Sequence, residues 1–140
     1  MLLTSGKSLC DIHQKIIVSQ DIGSPRKHHG NNTSGFSVRH YKLDGDLIHQ
    51  QKCCDFLVIN DSLKKAYFIE LKGSHINDAV PQLENGARLC KPELQEYTFY
   101  YRIISSKTRT HDVQSNTFRK FKEKCSGRLT CRTSYMEEDI

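Results

Sequence analysis

At 140 residues, with net charge +5, pI near 8.9, 36% hydrophobic residues and a mean hydropathy of −0.61, the chain is sized for one domain with its own core and a polar surface. No apolar run approaches the roughly 20 residues of a membrane span. Residues 1–7 also lack the basic and long apolar regions of a secretory signal, so no membrane partner and a cytoplasmic location are expected. The cations cluster in Arg26-Lys27-His28-His29 and again over 119–124, a pattern that permits a polyanionic partner. The six cysteines form no Cys-x-x-Cys pair, which favours reduced thiols in the core over zinc ligands or disulfides.

In chain order, residues 8–18 place Leu9, Ile12 and Ile16 at helical spacing behind a capping Ser8, and a first helix is expected there. Residues 23–35 are dense in Gly, Ser, Asn and Pro. They predict a flexible basic loop whose Arg26 and Lys27 could lie along a phosphate backbone. Alternation over 36–43 predicts a half-buried strand, and Asp44-Gly45-Asp46 a turn.

Two apolar, β-branched and aromatic runs then flank Asn60-Asp61-Ser62, as in a β-hairpin. Folded about Ser62-Leu63, the hairpin pairs Ile59 with Ala66, Leu57 with Phe68, and Asp55 with Glu70. Carboxylates opposed in this way lie about 4.5–5.5 Å apart at Cβ and repel each other. A divalent cation between them would turn repulsion into coordination. Lys72 shares the strand face of Glu70, whereas Leu71 points the other way. Both hairpin faces are apolar, which predicts helices on both sides of the sheet.

Ile76, Val80, Leu83, Ala87 and Cys90 recur at helical spacing. Pro81 belongs near a helix start, so the helix is expected over about 79–89 with Gln82 in its first turn. A third strong strand follows over 97–106. A basic helix over 116–124 turns Phe118 and Phe121 inward, and a last strand spans 129–135 before a frayed acidic tail at 136–140.

Asp55 followed by Glu70-Leu71-Lys72 at the end of the next strand resembles the PD-(D/E)xK nuclease superfamily. The resemblance implies a single α/β domain over 1–140. Its restriction-endonuclease-like core would be a central mixed β-sheet flanked by helices in the order αβββαβ. It implies that Asp55, Glu70 and the Leu71 carbonyl hold Mg2+, with Mn2+ as the alternative, and that Lys72 helps to activate the attacking water. Gln82 is similar to a glutamine that exonuclease-like branches carry in the helix after this motif. The first-helix acid of many members has only Asp11, with Gln14 nearby, as a counterpart here.

The function so implied is a metal-dependent nuclease, expected to be a DNA endonuclease. Its size and element order are similar to those of archaeal-type Holliday-junction resolvases, or of restriction or repair enzymes. Arg26, Lys27, Arg119 and Lys120 would grip the nucleic acid, and a homodimer would cut both strands. The alternative is a catalytically inert nuclease-fold module that binds nucleic acid without cutting it. A zinc-stabilised binding protein ranks third.

Overall fold

β-branched and aromatic residues crowd the middle of the chain, and the largest sheet forms there. The computed structural model describes residues 1–107 and 110–140. Its elements are α1 (Leu2–Ser5), β1 (Ile16–Gln20), β2 (Lys27–Asn31), β3 (Val38–Lys42), β4 (Phe56–Asn60) and β5 (Lys65–Lys72). There follow α2 (Ile76–Cys90), β6 (Thr98–Ser105), α3 (Thr110–Val113), α4 (Asn116–Lys124), β7 (Leu129–Thr133) and β8 (Tyr135–Asp139).

The fold is mixed α/β with two mixed sheets. Five strands form one, ordered β3-β4-β5-β6-β7, antiparallel up to β5 and parallel from there to β7. The other is ordered β1-β2-β8, with β1 antiparallel and β8 parallel to β2. The hairpin has the expected register, Ile59↔Ala66 and Leu57↔Phe68. Every residue of β4 is buried, as a strand covered on both faces requires.

The two covers differ in kind. Leu57, Ile59, Ala66, Phe68 and Ile103 pack under Ile76, Val80 and Leu83 of α2 and under Phe118 and Phe121 of α4. On the opposite face, Phe56, Val58, Tyr67 and Ile69 meet Ile17 of β1, Met136 of β8 and Ile140. The expectation of helices on both faces is therefore corrected: one cover is a second sheet. An apolar sheet face asks for an apolar layer, and alternating strands supply one as well as helices do.

Three further corrections follow from that second sheet. Residues 8–18 are not a helix, because Ile16-Ile17-Val18 begins β1 and burial alternates along it, Ile17 and Ser19 inward. The supposed basic loop holds β2, whose His28 and Gly30 are buried between neighbouring strands. The tail at 136–140 is not frayed: it forms β8, which pairs with β2 from Lys27↔Tyr135 to Asn31↔Asp139. Ser134, at φ 64°, divides the expected last strand into β7 and β8.

Helix α2 begins at Ile76, before the expected start, and carries Pro81 within it. A proline there forfeits one backbone bond, to the Asn77 carbonyl, early enough in the helix for packing to compensate. The third strand and the basic helix lie where expected, with Phe118 and Phe121 buried. All six cysteines are free, and Cys53, Cys54, Cys90 and Cys125 are buried. No helix among the described residues is long and apolar enough to cross a membrane.

A polar cluster ties the layers together. Arg102 of β6 donates to both oxygens of Glu138 at 2.8 and 3.0 Å, and His28 Nε2 lies 2.7 Å from Glu138 Oε2. Burial alone would raise the Glu138 carboxyl. The bonds from His28 and Arg102 outweigh it and hold the group down at about 2.

Candidate active site

The hairpin ladder ends at Phe56↔Ile69, and one step further Asp55 stands opposite Glu70. Asp55 continues the ladder with its side chain: its Oδ2 accepts the Leu71 N–H at 2.9 Å. That bond anchors the carboxylate in the position where a backbone carbonyl would otherwise sit. The Asp55 carbonyl in turn accepts the Leu43 N–H at 2.8 Å, linking it to the segment after β3.

Glu70 and Lys72 follow Ala66 and Phe68 on the face covered by α2. Glu70 is only 2% exposed, and its Oε1 is buried without a hydrogen-bond partner. Its Oε2 lies 4.0 Å from Lys72 Nζ, too long for a hydrogen bond. Lys72 Nζ instead donates to Gln82 Oε1 at 2.7 Å. Gln82 is itself held by both ends: its Nε2 donates to the Cys53 carbonyl at 3.4 Å, and its own carbonyl accepts the Cys54 N–H at 3.0 Å. Helix α2 thereby locks onto the residues immediately before Asp55. Close approach depends on Gly86, where a Cβ would stand 2.6 Å from Cys54 Sγ.

Electrostatics marks the pair out. Burial, and then the nearby Asp55 charge, push the Glu70 carboxyl up to about 9. Burial also raises Asp55, opposed by the Leu71 N–H. A buried carboxyl with an oxygen that accepts no hydrogen bond, facing a half-buried one, is a donor set short of positive charge. Hard oxygen ligands of this kind fit a divalent cation such as Mg2+. Among the described residues no three His, Cys, Asp or Glu side chains gather as a metal cluster, so the protein ligands would be this pair. Leu71 is engaged through its N–H, and its side chain packs on the opposite face. No described contact brings its carbonyl to the carboxylates.

Of the residues singled out in the sequence, Asp55, Glu70, Lys72 and Gln82 come together. Gln82 does so from the second turn of α2 rather than the first. Arg26 approaches from the second sheet: its Nη1 donates to Ser106 Oγ, and the Ser106 N–H donates to the Lys72 carbonyl at 3.1 Å. Lys27 lies over the Tyr135 ring at 5.6 Å in the second sheet. Arg119 and Lys120 are exposed on α4, with no described contact to the carboxylates. Asp11 lies in a turn, bonded through its N–H to Gln14 Oε1 at 3.1 Å, and is not drawn into the site. A cleft of about 860 Å3 between α2, the start of β6 and α4 includes none of Asp55, Glu70, Lys72 or Gln82.

Two residues were missed. Asp21, just after β1, pairs with Lys42 at 3.3 Å, and both act on the charge of Asp55. The β-branched run Ile16-Ile17-Val18 is the strand signal in the sequence, and it puts Asp21 just past a strand end.

No protein-family model, curated protein or solved structure matches the chain.

Proposed function

We propose that this protein is a metal-dependent nuclease of the PD-(D/E)xK type, with a restriction-endonuclease-like core, that hydrolyses phosphodiester bonds in DNA. The observation that carries the reading is Glu70: a buried carboxylate with an unpartnered oxygen, facing Asp55 and flanked by a lysine. A divalent cation bound by Asp55 and Glu70 would polarise the scissile phosphate and make its coordinated water a stronger nucleophile.

The chain's own residues supply the rest. Asp55 is fixed by the Leu71 N–H, so its other oxygen keeps a constant position relative to Glu70. Lys72 sets an ammonium beside the carboxylates, where it offsets negative charge developing on the phosphate oxygens. Gln82 positions that ammonium and holds it beyond hydrogen-bond distance of Glu70. Arg26, with Lys27 behind it, and the exposed Arg119 and Lys120 are the cations available to the nucleic-acid backbone.

The test is cleavage of labelled linear duplex, single-stranded and four-way-junction DNA, with Mg2+ or with chelator. Mg2+-dependent cutting that is lost in Glu70→Ala and Lys72→Ala supports the site. Binding without cutting in Mg2+ and in Mn2+ would replace it with the inert nucleic-acid-binding module. Cutting that survives both substitutions would place the chemistry elsewhere.

A further inference from the structure

Of eight exposed large hydrophobic side chains among the described residues, five fall between positions 9 and 22: Leu9 and Ile12 on the segment that runs along β3, Ile16 and Val18 in β1, and Ile22 just after it. Strand β1 ends its sheet and has β2 on one side only.

Which backbone groups face the open side follows from the pairing phase. The Asn32 N–H donates to the Lys15 carbonyl at 2.7 Å, one step before the Ile16↔Asn31 pair. Lys15, Ile17 and Ser19 therefore turn their backbone groups toward β2, and Ile16, Val18 and Gln20 turn theirs outward. These same three residues are the exposed ones. The Gln14 side chain donates to the Ile16 carbonyl at 2.9 Å. No hydrogen bond to the Val18 N–H or carbonyl occurs among the described residues.

The other three sheet edges are protected. Along β3, the Leu9 N–H donates to the His40 carbonyl and the Val38 N–H to the Ile12 carbonyl, each at 2.7 Å, so residues 9–12 occupy that edge. Strand β7 exposes Arg132, and β8 exposes Glu137 and Asp139, the charges by which edges resist strand addition. Strand β1, Ile-Ile-Val-Ser-Gln, carries neither charge nor proline.

We propose that β1 is the edge through which two copies of this chain pair, antiparallel and two-fold symmetric about Val18, merging two three-stranded sheets into one of six strands. Val18 then faces its own copy, and Ile16 of each chain faces Gln20 of the other. An uncharged strand meets itself without like-charge repulsion, and a two-fold axis needs only this self-complementarity. The pairing satisfies the outward N–H and carbonyl of Val18 and covers part of the exposed Ile16 and Val18 side chains.

The experiment is sedimentation velocity on the full chain over a concentration series, with amide hydrogen exchange at Val18 and Gln20. The expected result is a reversible dimer whose Val18 and Gln20 amides are protected. Val18→Lys sediments as monomer with those amides exposed, with an unchanged circular-dichroism spectrum, and with a melting midpoint that no longer rises with protein concentration as that of the wild type does. Val18→Cys cross-links to its copy on mild oxidation, since Cα atoms about 5.5 Å apart suit a disulfide. A monomer at every concentration overturns the proposal, as does a dimer that Val18→Lys leaves intact. No readout depends on cleavage, so this result stands or falls apart from the nuclease reading.

Discussion

Glu70 is held where an ionised carboxylate is disfavoured, and this has a measurable consequence. Folding raises its carboxyl from the ordinary 4.5 to about 9. A group raised on folding contributes its full stability below the unfolded value and loses it as pH climbs through the folded one. The metal-free protein should therefore weaken from about pH 4.5 to about 9, and Glu70→Gln should weaken less. Urea midpoints for the two proteins across that range check this. At pH 8, Mg2+ should raise the wild-type midpoint and leave that of Glu70→Gln unmoved, since a ligand that binds only the folded state stabilises it. For cleavage, Lys72→Ala should lower kcat by ~10²–10³-fold, the scale of one lost transition-state donor. Gln82→Ala should lower it ~10–100-fold, as removal of a supporting partner does. Its pH–rate profile should also shift, because Lys72 is then free to pair directly with Glu70.

At the scale of elements, the site depends on how closely α2 lies on the entry to β4. Gly86→Ala offers a better helix former, yet its Cβ meets Cys54 Sγ at 2.6 Å. The variant should be destabilised by ~1–3 kcal/mol, the usual cost of overpacking. In a Gly86→Ala/Cys54→Ala double-mutant cycle, followed by denaturant midpoints, the second change should relieve much of the first. The same elements show what the sequence makes legible. The hairpin register is readable because two apolar runs flank one short turn, so folding about Ser62-Leu63 sets Leu57 opposite Phe68 and Ile59 opposite Ala66. Helix α4 was readable because Phe118 and Phe121 fall one turn apart among cations and a Glu. Strand β1 is masked in the sequence because Leu9, Ile12 and Ile16 fall at helical spacing by coincidence: all three are exposed. Strand β2 reads as a loop because Gly and Asn are poor strand formers, and only its neighbours β1 and β8 make it a strand. The carboxylate pair was visible from spacing alone. The charges acting on it from Asp21 and Lys42 were not, since they reach it through strand pairing across the fold.

At the scale of the whole molecule, Glu138 joins β8 to β2 and β6 through His28 and Arg102. Glu138→Gln leaves Arg102 buried with a weakened partner, and the cost at neutral pH should approach the ~3–5 kcal/mol of a broken buried pair. The wild-type carboxyl is depressed from 4.5 to about 2, so its contribution is present above pH 4.5 and fades as pH falls toward 2. Denaturation curves of the two proteins should converge over that interval. This clamp also fixes an order of assembly. His28 and Glu138 are 110 positions apart, so on a ribosome β2 emerges long before the strand that completes its sheet. Until then one side of β2 stays unpaired and the face of β4 and β5 that β8 covers stays partly bare. Such distant closure slows folding and leaves a sticky intermediate. Newly made chains should therefore need chaperone protection until β8 has emerged, whatever the stability of the finished protein.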